Sequence, residues 1–222
     1  MTRIKICGIK NGTDRDCAVF AGADAVGFVV EIPRSRRNIS RKMARSLIKA
    51  IPPFASSAIV IEPESVKEAA ELALDTGANV IQVHGTLSPE ELKTLKEMIP
   101  QGIVAAVGVD PSGASVKKSI DVARKFAKVA DALLLDTFSG GFGGTGEVHD
   151  WEFSATLVKE LDIPVILAGG LSPVNVAEAV RKVNPYAVDV SSGVETDGRN
   201  DGKKDCEKIK NFIKEVKSCP PQ

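Results

Sequence analysis

Cys7, His84 and Asp136 stand at the ends of short apolar runs in this 222-residue chain, where a side chain can do chemistry. Cys7 closes the run Arg3–Cys7 and is followed by Gly8. Side chains alternate along a strand, so Lys5 and Cys7 share one face and Ile4 and Ile6 the other. Apolar Ile4 and Ile6 suit packing against helices, which turns Lys5 and Cys7 inward. A free thiol of pKa ~8.5 is only a few per cent thiolate at neutral pH. An ammonium two residues below could lower that value. On position alone, a small buried thiol is the commoner explanation of such a residue. Asp136 follows three leucines, Leu133 to Leu135, a run with no use for a carboxylate. It is either a catalytic acid or the cap of a turn. Gln82 and His84 share an inward face by the same alternation, and His84 suits positioning better than direct catalysis.

Further along come two turns of small residues, Ala168-Gly169-Gly170-Leu171-Ser172 and Val190-Ser191-Ser192-Gly193. Backbone N–H groups in such turns can hold a phosphate. With no basic side chain close to either in sequence, backbone donors are expected to dominate. Arg37, in Ser35-Arg36-Arg37-Asn38, is either solvated or free to grip a carboxylate in bidentate fashion. The stretch from Phe138 to Gly146 has five glycines in seven residues, Gly140 to Gly146. It reads as a closing lid or as a plain connector.

The elements that must position these groups alternate regularly. Strand-like runs are Arg3–Cys7, Ala25–Val30, Ala58–Ile61, Val80–Val83, Val104–Val109, Ala132–Asp136, Val165–Ala168 and Ala187–Ser191. Each is short and Val/Ile/Leu/Ala-rich, as parallel strands buried on both faces require. Helix-length segments separate them. Ser88-Pro89-Glu90-Glu91 is a capping-box start, and Ser40, Ser112 and Ser172-Pro173 mark others. Eight βα units in one chain predict an α/β fold, a single-domain (β/α)8 TIM barrel over 1–217, with 218–222 a frayed tail. Its active site would lie at the C-terminal strand ends. A weak repeat supports even units: Asp24, Asn79 and Asp131 follow Gly22-Ala23, Gly77-Ala78 and Val129-Ala130 at intervals of 55 and 52 residues.

Composition narrows the function classes. Lys plus Arg and Asp plus Glu are both 29, so nucleic acid and anionic membranes are not expected partners. No apolar run reaches the ~18 residues of a membrane span, and Met1-Thr2-Arg3-Ile4-Lys5 is no signal peptide, which predicts a cytoplasmic protein. Two histidines are too few for a His-rich metal site, so no metal is expected. None of Cys7, Cys17, Cys206 and Cys219 forms a Cys-x-x-Cys pair, so reduced thiols are expected.

In order along the chain, Lys-Ile-Cys-Gly at 5–8, Gly-Ala-Asp-Ala-Val-Gly-Phe-Val at 22–29 and Ser-Arg-Arg-Asn-Ile-Ser at 35–40 resemble the phosphoribosylanthranilate isomerases of tryptophan biosynthesis. So do Gln-Val-His-Gly at 82–85, Leu-Leu-Leu-Asp-Thr at 133–137, Gly-Gly-Thr-Gly at 143–146 and Asp-Trp at 150–151. Leu-Ala-Gly-Gly-Leu-Ser-Pro at 167–173 and Ala-Val-Asp-Val-Ser-Ser-Gly-Val-Glu at 187–195 complete the set, which spans Arg3 to about Lys217. The resemblance implies an Amadori rearrangement of N-(5-phosphoribosyl)anthranilate. It implies Cys7 as base, Asp136 as acid, Arg37 on the anthranilate carboxylate, and Gly169, Gly170, Ser192 and Gly193 on the phosphate; His84, from its inward strand-end place, is expected to bind substrate. No cofactor is implied, and the partners are a phosphorylated small molecule and at most a second copy of the chain, as monomer or homodimer. The chain departs from the family pattern at His149, at Glu62-Pro63, and between Thr196 and Asp205, a segment longer than usual and without the customary Pro. A metal-dependent pentose-phosphate epimerase would need more strand-end His ligands, and indole-glycerol-phosphate synthase would need strand-end Lys and Glu pairs. A non-catalytic phosphosugar sensor would not need Cys7 together with Asp136. Strand parity also puts Asp189 inward beside Lys5, so the two are expected to pair.

Overall fold

Short runs of Val, Ile, Leu and Ala stay buried on both faces when helices cover one face and a closed barrel interior takes the other. The computed structural model describes residues 1–109, 116–137, 150–198 and 201–220, with backbone alone at 116–118. The glycine-rich stretch, His149 and the helix start at Ser112 lie outside these residues. The barrel strands are β1 (Arg3–Ile6), β2 (Ala25–Val30), β4 (Ser56–Ile61), β5 (Val80–His84), β6 (Gly102–Val109), β7 (Ala132–Thr137), β8 (Val165–Leu167) and β9 (Ala187–Val190). All are parallel, in the order β1-β9-β8-β7-β6-β5-β4-β2, and β1 closes the ring onto β2. A two-residue strand, β3 (Asn38–Ile39), adds to β2 at the barrel rim and was not among the eight expected runs.

Among the described residues, eight α-helices surround the ring: α1 (Gly12–Ala21), α2 (Arg41–Lys49), α3 (Val66–Thr76), α4 (Pro89–Met98), α5 (Val116–Phe126), α6 (Trp151–Glu160), α7 (Val176–Val183) and α8 (Cys206–Lys217). Residues of outward parity, such as Ile4, Ile6, Phe28, Ile81, Leu133 and Val188, form one large core with the helices. Inward residues Val104, Ala132, Leu134, Ile166, Ala168 and Ala187 form a second cluster inside the ring. The capping box at Ser88 and Glu91 is formed, and Ser40 caps α2 through the N–H of Met43. Ser172-Pro173 does not open a helix. Asn175 accepts from the N–H of Ser172 and donates to the carbonyl of Gly170, which shapes a turn, and α7 starts at Val176.

The weak repeat has a physical cause. The Asp24 side chain accepts from the N–H of Ile4, Asn79 from that of Ser57, and Asp131 from that of Ile103. Each residue thus pins the foot of the preceding strand to its own, at 2.8–2.9 Å.

Two expectations are overturned. Cys17 and Cys206 form a disulfide, with Cα atoms 5.9 Å apart despite 189 residues of intervening sequence. Spacing along the chain carried no warning, because α1 and α8 become neighbours only when the ring closes. The frayed tail also starts later than Ser218. Cys219 is buried, its thiol reaching the carbonyls of Ala177 and Glu215, so the packed chain extends to that residue.

Candidate active site

Cys7, Arg37, Gln82, His84, Asp136, Gly169, Gly170, Asp189, Ser191 and Ser192 line one cavity at the C-terminal mouth of the barrel. Every side chain named from the sequence is there. Gly193 lies one residue further on, where a Cβ would sit 2.0 Å from the Leu171 carbonyl oxygen. The turns after β8 and β9 therefore press backbone against backbone. The N–H groups of Gly169, Gly170, Ser192 and Gly193 donate to nothing among the described residues.

Beneath the cavity runs a buried polar relay. The Lys5 ammonium donates to Asp189 Oδ2 at 2.8 Å and to Gln82 Oε1 at 2.9 Å, which realises the expected pair. With its oxygen taken, the Gln82 amide faces His84 Nε2 through its nitrogen, at 2.8 Å. That nitrogen donates, so His84 Nε2 accepts and the ring proton sits on Nδ1. Burial and the Lys5 charge bring the His84 pKa down to about 4, which keeps the ring neutral.

The two candidate reactive groups, Asp136 and Cys7, are shifted by their environment. Burial, then the neighbouring Asp189 charge, raises Asp136 to about 6. Burial raises the Cys7 thiol, and the Lys5 ammonium opposes that shift without cancelling it. Lys5 is pulled down by burial, but Asp189 and Cys7 outweigh this and hold it charged. The expectation that Lys5 brings Cys7 below its ordinary pKa is therefore not met, because desolvation is the larger effect.

Arg37 is buried and does not face solvent. Its Nε donates to Glu195 Oε1 at 2.6 Å, while its Nη2 is buried without a partner among the described residues. Arg36 donates to the other oxygen of Glu195. Lys204 also reaches Glu195 and the carbonyl of Ser191, so a basic side chain does lie beside the β9 turn. Sequence reasoning missed both Glu195 and Lys204. Glu195 ends a quoted motif, but Lys204 sits in an irregular segment with no period to read.

A larger cavity, about 570 Å³, opens at the opposite mouth. It is walled largely by small apolar residues such as Ala25, Ala58, Ala132 and Ala187, and the Lys5–Gln82 layer floors it. It contains neither Cys7 nor Asp136, so size alone does not mark the reactive site.

The family described as N-(5'-phosphoribosyl)anthranilate (PRA) isomerase matches residues 4–215. The chain belongs to the phosphoribosylanthranilate isomerase family. A curated relative of that name from Methanothrix thermoacetophila is 49% identical, over 99% of this chain and 100% of its own. The solved phosphoribosyl anthranilate isomerase of Thermotoga maritima superposes with a TM-score of 0.85 at 37% identity, covering 98% of this chain and 99% of that one. A further isomerase structure, 36% identical with a TM-score of 0.82 over the same shares, was solved in complex with reduced 1-(o-carboxyphenylamino)-1-deoxyribulose 5-phosphate. These matches make the chain an isomerase on a closed TIM barrel. Among its described residues no helix is long and apolar enough to cross a membrane.

Proposed function

We propose that this isomerase converts N-(5-phosphoribosyl)anthranilate to 1-(2-carboxyphenylamino)-1-deoxy-D-ribulose 5-phosphate in tryptophan biosynthesis, with Asp136 as general acid and Cys7 as general base. Asp136 gives its proton to the furanose ring oxygen as the C1–O bond breaks, and the anthranilate nitrogen lone pair forms C=N. The Cys7 thiolate takes the proton from C2, and the C–H electrons form the C1=C2 bond of an enolamine. Gain of a proton at C1 and loss of the enol proton complete the ketone and reset both groups. The iminium is the electron sink, so the reading needs neither metal nor cofactor.

The observation that carries this reading is the placement of the two groups. One carboxyl, held partly protonated by burial, and one thiol face a single cavity from β7 and β1. The same cavity offers a buried, unpartnered Arg37 Nη2 for a carboxylate. It also offers two turns with free N–H groups, at Gly169 and Gly170 and at Ser192 and Gly193, for a phosphate. His84, neutral, contributes to binding through its place on the wall. The reading carries with it a cytoplasmic enzyme, monomeric or homodimeric; the Thermotoga maritima relative is described as dimeric.

Loss of phosphoribosylanthranilate fluorescence reports turnover directly. Cys7→Ala and Asp136→Asn are each expected to abolish turnover while binding of inorganic phosphate stays near the parent level. Parent-like turnover in either variant defeats the assignment of that residue.

A further inference from the structure

The segment after Glu195 leaves the barrel and returns to the same place. Glu195 and Lys204 form an antiparallel bridge, Thr196 N–H donates to the Lys203 carbonyl, and Asp205 N–H to that of Val194. Cys206, two residues on, is tied to α1 by the disulfide. The bridge fixes where Lys204 lands.

It lands in a slot it fills completely. The Lys204 side chain is 1% exposed. Its ammonium donates to the Ser191 carbonyl at 3.0 Å, to Ser191 Oγ at 3.3 Å and to Glu195 Oε1 at 3.2 Å. Ser191 Oγ in turn donates to the Cys7 carbonyl. Glu195 Oε1 is the atom that also receives Arg37 Nε. One ammonium therefore touches the support of the β9 turn and the support of the free guanidinium edge.

Arg37 and Lys204, both buried, meet on one oxygen of Glu195. A buried polar group without a partner is costly, and Arg37 Nη2 has none among the described residues. A substrate carboxylate would satisfy it, so the Arg37 edge that Lys204 steadies through Glu195 marks where part of an anionic substrate would sit.

We propose that Lys204 is a positioning residue for the anionic substrate, holding Arg37 through Glu195 and the phosphate turn through Ser191, and that loss of its proton weakens substrate binding. This rests on the reading of Arg37 and the β9 turn as the binding groups. The groups facing Lys204 are Glu195, Arg37 across the shared carboxylate, Cys7 just past the end of β1, and the Asp14 carboxylate on α1, which accepts from the Lys204 backbone N–H. Burial, against the pull of Glu195, brings Lys204 down to about 8.

The test uses Lys204→Met and Lys204→Arg in the full chain, with kcat and KM followed from pH 6 to 9.5. Inorganic phosphate serves as a separate probe, its affinity measured by competition and by calorimetry. In the parent, KM is expected to rise about tenfold per pH unit above ~8. Lys204→Met should raise KM on the order of 10–100-fold at pH 7, weaken phosphate in parallel, and leave kcat within about threefold. Lys204→Arg, which keeps its charge at all these pH values, should remove the alkaline rise in KM. A purely structural lysine would lower the melting temperature and the active fraction without a change in KM. The proposal is overturned by a Lys204→Met enzyme with parent-like KM and phosphate affinity, by a loss confined to kcat, or by an alkaline rise that persists in Lys204→Arg. Should Lys204→Met not fold, the pH profile of Lys204→Arg decides. Should Cys7→Ala turn over normally, the acid–base reading falls, and phosphate affinity in the Lys204 variants still decides this one.

Discussion

By the proposed route the active form of the enzyme is a minority form, and pH exposes this. Turnover by the proposed route needs Asp136 protonated and Cys7 ionised. Asp136 titrates at about 6 and Cys7 above the ordinary thiol value, so the acid loses its proton before the base does. Between the two values, raising the pH by one unit removes nine-tenths of the protonated acid and supplies ten times more thiolate. The opposing effects cancel, so kcat at saturating substrate should be flat from just above pH 6 up to the thiol's own raised value, and fall on either side. Because the acid titrates below the base, only a small fraction of molecules carries the reactive combination, and each unit of separation between the two costs about 1.4 kcal/mol in the barrier. Lys5 narrows that gap. Lys5→Met should therefore raise the thiol further. Each unit of rise lowers the plateau about tenfold and moves its alkaline edge up by one unit. The assay is the fluorescence loss already described, at saturating substrate across pH 5 to 10. Two results refute the reasoning. A kcat that climbs tenfold per unit from pH 6 to 8 means that the thiolate matters and Asp136 does not. A kcat that declines tenfold per unit means that the base is already ionised and is not a buried thiol.

Stability and site shape give further expectations. The disulfide encloses nearly the whole chain, so losing it through reductant or Cys206→Ser should cost on the order of 5 kcal/mol and lower the melting temperature by about 10–20 °C. Superimposable melts of the oxidised and reduced protein would sink that estimate. At Gly169, φ is 84° and an added Cβ would stand 2.1 Å from Thr137 Oγ1 and 2.6 Å from the Thr137 backbone nitrogen. Gly169→Ala is thus expected to lose about 1–3 kcal/mol in a urea titration and to raise KM more than it lowers kcat; unchanged KM would mean this turn does not meet the phosphate.

Much of the architecture was readable because it follows from periods. Two-residue alternation placed Lys5 under Cys7 and across from Asp189, and the 2.8 Å contact follows from that parity once β1 and β9 adjoin. The small-residue turns and the acid at Asp136 were readable because each breaks the composition of the run before it. What escaped has no period. Cys17 and Cys206 meet through ring closure, a property of the whole chain. Lys204 arrives through a bridge between two irregular segments, and Arg37 looked like a rim residue because Glu195, which buries it, lies 158 residues away. The sign of the Cys7 shift was also out of reach, since desolvation depends on how tightly the mouth packs.

The three pins at the strand feet divide the barrel in a way its outline does not suggest. Asp24, Asn79 and Asp131 each join a consecutive pair, β1 with β2, β4 with β5, and β6 with β7. The chain is therefore built as quarters, three of them βαβ units locked at the base. The fourth quarter, β8 with β9, has Tyr186 at the corresponding step, stacked under the Arg3 guanidinium and unable to accept from a strand N–H as a carboxylate does. That quarter carries both glycine-bearing turns. Grafting the Asp24–Ile4 lock onto the β8–β9 foot is therefore expected to trade adaptability at the mouth for rigidity at the base.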